Sequence, residues 1–231
     1  MSFYFYLNLA IITFPLLFSF ERRLKFYKKF KPLAVALLLV GFFFVAWDIF
    51  AAYRGHWSFN PWYVNQAKLF GLPLEEIMFF ITVPYSCLFV YHSIGHFVTD
   101  KKLVNFKKWV PASIAVLIIL SSFVFYSKEY TFLAIISIGL VTLFVTLVNM
   151  KLFASRSYWL YTFLTLILFL IFNYLLTSYP VVQYSPEAIT GVRVLTIPIE
   201  DFMFNYSMLT SYLTVYLWAL KKLKSKGSPS I

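Results

Sequence analysis

Apolar residues run through this chain in seven long stretches, separated by shorter polar ones. The stretches fall at 3–20, 33–53, 72–94, 109–127, 130–151, 158–179 and 195–219. Each is close to the ~20 residues that a helix needs to cross ~30 Å of hydrocarbon. The pattern predicts an all-α integral membrane protein of seven transmembrane helices. No Lys or Arg precedes the first stretch, so it lacks the charged start of a signal peptide and is expected to stay as the first helix.

Composition supports this. Of 231 residues, 61% are hydrophobic, 22% aromatic and only 13% charged, far from a soluble average. Cys87 is the sole cysteine, which excludes an internal disulfide, a CxxC pair and a thiolate metal site. The net charge of +11 is explained by topology. Arg22, Arg23, Lys25, Lys28, Lys29 and Lys31 follow the first stretch, and Lys101, Lys102, Lys107 and Lys108 follow the third. Lys151 and Arg156 follow the fifth, and Lys221, Lys222, Lys224 and Lys226 follow the last. Only Arg54, Lys68, Lys128 and Arg193 lie in the loops of the other side. Positive residues concentrate on the cytoplasmic side, so the N-terminus is expected outside and the C-terminus inside. The lipid bilayer is the expected partner, and a nucleic-acid surface is not needed.

Four of the nine acidic residues, Glu21, Asp100, Glu129 and Glu187, fall in loops or at helix ends. Asp48, Glu75, Glu76, Glu200 and Asp201 fall inside apolar stretches. With alternating helix directions, all five are expected at one depth near the outer face. Ionisable groups inside a span usually face the bundle interior. The alternative is that the pairs are ordinary helix-start residues, with Pro73 and Pro198 at the first helical position and the acids on the helix dipole.

The pairs repeat. At an offset of 125 residues, "PLEEIMFF" at Pro73–Phe80 meets "PIEDFMFN" at Pro198–Asn205. Ser86, Leu88, Val90 and Tyr91 meet Ser211, Leu213, Val215 and Tyr216, while Asp48 meets Asn173. Two parallel three-helix repeats are expected, at 1–108 and 128–220, joined by a linking helix at 109–127 and followed by a basic tail at 221–231. The face of Glu75 (Met78, Phe79, Thr82, Ser86) matches that of Glu200 (Met203, Phe204, Ser207, Ser211). The face of Glu76 (Phe80, Val83, Cys87) differs from that of Asp201 (Asn205, Met208, Tyr212). The shared face is expected to line a pseudo-symmetric centre, which ranks Glu75 and Glu200 first as catalytic candidates, with Glu76 and Asp201 as partners. Asp48, Asn173 and Asn205 are candidate supporting residues.

There is no nucleotide-binding fingerprint. His92 and His96 could hold a metal by spacing, but they lie a helix length from the acids, and neither metal nor cofactor is expected. Adjacent carboxyls can divide the roles of acid and base. Trp47, Phe79, Phe80, Phe202 and Phe204 offer aromatic faces to a cation. Together these suit acid-initiated chemistry on a hydrocarbon: an alkene is protonated, the carbocation cyclises and a proton is removed.

The two acid motifs, with Trp47-Asp48 upstream and "VPYSCLF" downstream, resemble the membrane-integral lycopene cyclases, in the form that fuses two small subunits. The resemblance covers essentially the whole chain. It implies conversion of lycopene ends to β-ionone rings through γ-carotene to β-carotene, without net redox change. It also implies lycopene and other lipophilic carotenoids as partners, and carboxylates at Glu75, Glu76, Glu200 and Asp201 as functional residues. A bacterial cytoplasmic membrane is the expected location, and no phytoene synthase domain is expected after the basic tail. One departure is internal: Phe79-Phe80 becomes Phe204-Asn205, so the halves need not contribute equally. Cyclases of fifty-carbon carotenoids share the motifs and stand as the alternative. A retinal-type receptor would need a lysine within 195–219, where there is none. A proton-coupled transporter using the same acids is a further alternative.

Overall fold

Near the start of the chain the Ser2 hydroxyl caps helix α1 (Phe3–Phe18) by accepting the Phe5 N–H at 3.1 Å. Six more α-helices follow in this computed structural model, which describes residues 1–105 and 107–226. They are α2 (Phe30–Tyr53), α3 (Leu74–Phe97), α4 (Trp109–Ser122), α5 (Glu129–Asn149), α6 (Arg156–Ser178) and α7 (Ile199–Lys226). Of the expected basic tail, 227–231 lies outside the described residues. Each apolar stretch thus holds one helix. Among the described residues, four helical segments are long and apolar enough to cross a membrane: Phe26–Tyr53, Leu74–Phe97, Glu129–Ala154 and Arg156–Ser178. Phe3–Phe18 and Trp109–Phe125 are apolar but shorter. Large apolar side chains such as Leu38, Phe42 and Leu117 stand fully outward, as a lipid-facing surface requires.

The structure adds short strands that an all-α reading omits. Between α2 and α3 lie β1 (Trp57–Phe59), β2 (Lys68–Leu69) and β3 (Leu72–Pro73). Between α6 and α7 lie β4 (Val182–Tyr184), β5 (Arg193–Val194) and β6 (Ile197–Pro198). The β2–β3 hairpin turns on Phe70 and Gly71, with φ of 52° and 86°, the left-handed pair that a tight two-residue turn needs. Pro73 and Pro198 therefore do not start the helices. They close these hairpins, pairing with Lys68 and Arg193, and Pro73 sits in the cap position just before α3. The acids then occupy the second and third positions of α3 and α7, where backbone N–H groups have no partner within the helix.

β1 and β4 pair antiparallel as Trp57↔Tyr184, Ser58↔Gln183 and Phe59↔Val182. Ser58 and Gln183 are equivalent in the repeat, so a pseudo-two-fold axis passes between them. Flanking bonds obey it too: the Ser185 N–H donates to His56 O at 2.9 Å, and the Asn60 N–H to Val181 O at 2.9 Å. Within each repeat the first helix packs on the third, α1 on α3 and α5 on α7. The middle helices cross over: α2 packs chiefly on α7, and α6 packs on α3. α4 lies outside this arrangement, against α5.

Pro84 lies inside α3 and has no N–H for the Phe80 carbonyl four residues back. The Tyr212 hydroxyl of α7 takes that role, donating to Phe80 O at 2.9 Å. Gly41 of α2 leaves room for it, since a Cβ there would lie 3.1 Å from the Tyr212 oxygen. One proline thus binds the two repeats together at their centre.

Candidate active site

The starts of α3 and α7 meet beneath the paired loops, around a cavity of about 70 Å³. Its walls include Tyr4, Asp48, Glu76 and Phe79 from the first repeat, and Tyr130, Asn173, Tyr184, Asp201, Phe204 and Asn205 from the second. Three carboxyl groups, on Asp48, Glu76 and Asp201, are therefore brought to one buried space. Asp201 is held by three donors: Tyr130 Oη at 2.8 Å, Asn173 Nδ2 at 2.9 Å and Tyr184 Oη at 2.6 Å. Glu76 accepts one side-chain hydrogen bond, from Tyr4 Oη at 2.9 Å. Asp48 Oδ2 is buried without a hydrogen-bond partner among the described residues. Tyr184 belongs to the loop strand β4. Its burial, and then the Asp201 carboxylate, push its phenol well above the usual range, so it remains a donor.

Glu75 and Glu200 turn away from this cavity. Glu75 Oε1 accepts the Ser2 hydroxyl and the Asn65 N–H, the latter at 2.9 Å. Glu200 Oε1 accepts Thr131 Oγ1 at 2.5 Å, the Thr190 N–H at 2.9 Å and Thr190 Oγ1 at 2.8 Å. Each carboxylate thus ties the start of its helix to the preceding loop and to the first helix of its repeat. The rest of the shared face does the same. Thr82 donates to Asn8 Oδ1 at 2.6 Å, Ser86 to Ile11 O at 3.0 Å, and Ser137 to Ser207 Oγ at 2.8 Å.

The expectation that the shared face lines the pseudo-symmetric centre is corrected by this geometry. The hydrogen bonds of Glu75, Glu200, Thr82, Ser86 and Ser207 stay within their own repeats, while Phe79 and Phe204 reach the cavity and the less similar face carries Glu76 and Asp201 into it. The cause is the pairing of first and third helices, which is the same contact in both halves and preserves the same residues. Asp48, Asn173 and Asn205 do line the cavity. Trp47 and Phe80 do not: Trp47 stacks on Phe44 at 5.8 Å outside it, and Phe80 lies in the core with its ring 6.4 Å from that of Phe204. His92 and His96 meet each other at 3.3 Å at the far end of α3.

Tyr4, Tyr130 and Tyr184 are absent from the candidates read from sequence. Tyr4 and Tyr130 play equivalent parts, yet they stand 126 residues apart, one more than the acid motifs. An alignment held at 125 sets Tyr4 against Glu129 and hides the pair.

Carboxyl groups from two halves of an apolar helical chain thus meet in one aromatic cavity. A family model described as Lycopene cyclase matches residues 1–94 and again 127–219. The chain belongs to the lycopene cyclase family, whose enzymes cyclise carotenoids. The two matched segments begin 126 residues apart and end 125 apart, the same slip that separates the tyrosines from the acids. No curated protein and no solved structure matches the chain.

Proposed function

We propose that the chain is a lycopene β-cyclase spanning the bilayer seven times, with the acid cavity near the outer face and its C-terminus in the cytoplasm. A bacterial cytoplasmic membrane is the proposed setting. Its two repeats, 1–108 and 128–220, share one active site, and 109–127 only links them. The observation that carries the reading is the convergence of Asp48, Glu76 and Asp201 on one apolar, aromatic cavity.

On this reading Glu76 is the acid. Its carboxyl gives a proton to the terminal double bond of the lycopene end group. The next double bond attacks the tertiary cation, and a six-membered ring closes. Asp201 is the base and removes the neighbouring proton, leaving the ring double bond of a β-ionone end. The division follows from the donors. Asp201 accepts three hydrogen bonds, as a carboxylate does readily, whereas Glu76 accepts one and has an oxygen free to carry a proton. Phe79 and Phe204 line the cavity and offer their faces to the cation. Asp48, beside them with an unpartnered oxygen, places a third carboxyl on the cavity wall. Glu75 and Glu200 act as positioning residues that fix the starts of α3 and α7.

The proton taken by Asp201 equals the one given by Glu76, so no electrons are needed overall. Purified protein in liposomes should convert lycopene to γ-carotene and then β-carotene without added flavin or nicotinamide. Pigment analysis showing an absolute need for either, or no rings at all, would refute the proposal.

A further inference from the structure

Two apolar grooves run along the helices, and the repeat relates one to the other. The first, of about 270 Å³, lies between α1, α3 and α6; the second, of about 700 Å³, between α2, α5 and α7. Ser86, Val90 and Leu168 in the first correspond to Ser211, Val215 and Phe43 in the second. Their relation to the acids differs. The first groove shares Phe79, Phe169, Asn173, Leu176 and Asn205 with the acid cavity, whereas the second shares none of its lining with it.

The difference has a cause in the sequence. At the head of the second groove Phe44 and Trp47 stack at 5.8 Å, and Phe204 meets them edge-on at 5.4 and 5.2 Å. Behind them, Phe80 fills the core. At the equivalent places around the first groove stand Phe169, Phe172, Phe79 and Asn205. Phe169 packs instead edge-on to Phe202 at 5.0 Å, and the short Asn205 side chain borders both the groove and the cavity. The exchange of Phe80 for Asn205 is the one place where the two acid motifs clearly part.

We infer that the groove between α1, α3 and α6 holds the polyene arm of the carotenoid while its end group lies at the acids, and that the second groove gives no way to them. This rests on the cyclase reading and adds the path of the substrate. A carotenoid then reaches the acids end-first through one opening. After one ring is closed the molecule must withdraw and return by its other end, so the one-ringed product is released between the two reactions.

Matched substitutions test the path. Val90→Trp narrows the first groove and Val215→Trp the second, at equivalent and similarly half-buried positions. Leu168→Trp and Phe43→Trp repeat the comparison on α6 and α2, should either α3 or α7 variant fail to fold. In the full chain reconstituted with lycopene, Val90→Trp and Leu168→Trp should slow ring formation at least ~10-fold, while Val215→Trp and Phe43→Trp stay within ~2-fold of wild type. Isotope-labelled lycopene followed by an excess of unlabelled lycopene should leave label stranded in the one-ringed product. Equal slowing by both members of each pair, or slowing by Val215→Trp and Phe43→Trp alone, overturns the path. Label passing undiluted into the two-ringed product overturns the release step. Wild-type protein that forms no ring overturns the cyclase reading itself.

Discussion

Tyr4 and Tyr130 show what the sequence conceals at the scale of single residues. Each donates to the cavity carboxyl of its own repeat, yet a tyrosine is an unremarked residue in a chain that has 17 of them. The four motif acids were legible, because charge in an apolar helix is costly and their repetition is plain. Which member of each pair faces the centre was not. Repetition identifies what both halves keep, and both halves keep the packing of first helix on third. Substitution separates the two roles. Glu76→Gln and Asp201→Asn fill nearly the same space but cannot transfer the proton, and turnover should fall ~10²-fold or more, the usual worth of a positioned acid or base. Glu75→Gln and Glu200→Gln should retain most turnover and instead lower the unfolding midpoint, because the carboxylate that accepts the loop N–H and the hydroxyl of the first helix becomes a neutral, weaker acceptor, at a cost of ~1 kcal/mol. Turnover and thermal unfolding of the same four purified proteins check both halves of the statement. The reverse pattern would restore Glu75 and Glu200 as the reacting groups.

Among the elements, each of the seven helices was readable as an apolar run in the sequence. The loop strands were not: β2, β3, β5 and β6 are two residues each, too short to show a period. The helix starts moved for the same reason, as Pro73 and Pro198 proved to be hairpin residues. Pro84 was visible in the sequence, but the hydroxyl that answers it comes from Tyr212, 128 positions later. That bond joins α7 to α3 and is expected to matter. Tyr212→Phe leaves a buried carbonyl without a donor and should destabilise the fold by ~1–3 kcal/mol. Tyr161→Phe is the comparison. It removes a 3.4 Å bond to the Leu209 carbonyl, which sits in a regular helix and has a backbone donor of its own, so it should cost well under half as much. Thermal unfolding in detergent measures the difference, and equal shifts would argue against the part given to Pro84.

For the whole molecule, the repeat announced two similar halves but not how they meet. The middle helices pack across, α2 on α7 and α6 on α3, while β1 pairs with β4 on the axis between them. The consequence is a cavity lined by both halves. Tyr4, Asp48 and Glu76 come from one, and Tyr130, Asn173, Tyr184 and Asp201 from the other. α4 packs on α5 and contributes nothing to the cavity, so the chain can be divided just before it. The central claim is that the two repeats make one cyclising site between them. Residues 1–108 and 109–231 should therefore be expressed as separate chains, alone and together, in lycopene-accumulating bacteria, and the pigments analysed. The account predicts ringed carotenoids when both halves are present and lycopene alone when either is missing. Rings formed by one half without the other would contradict it.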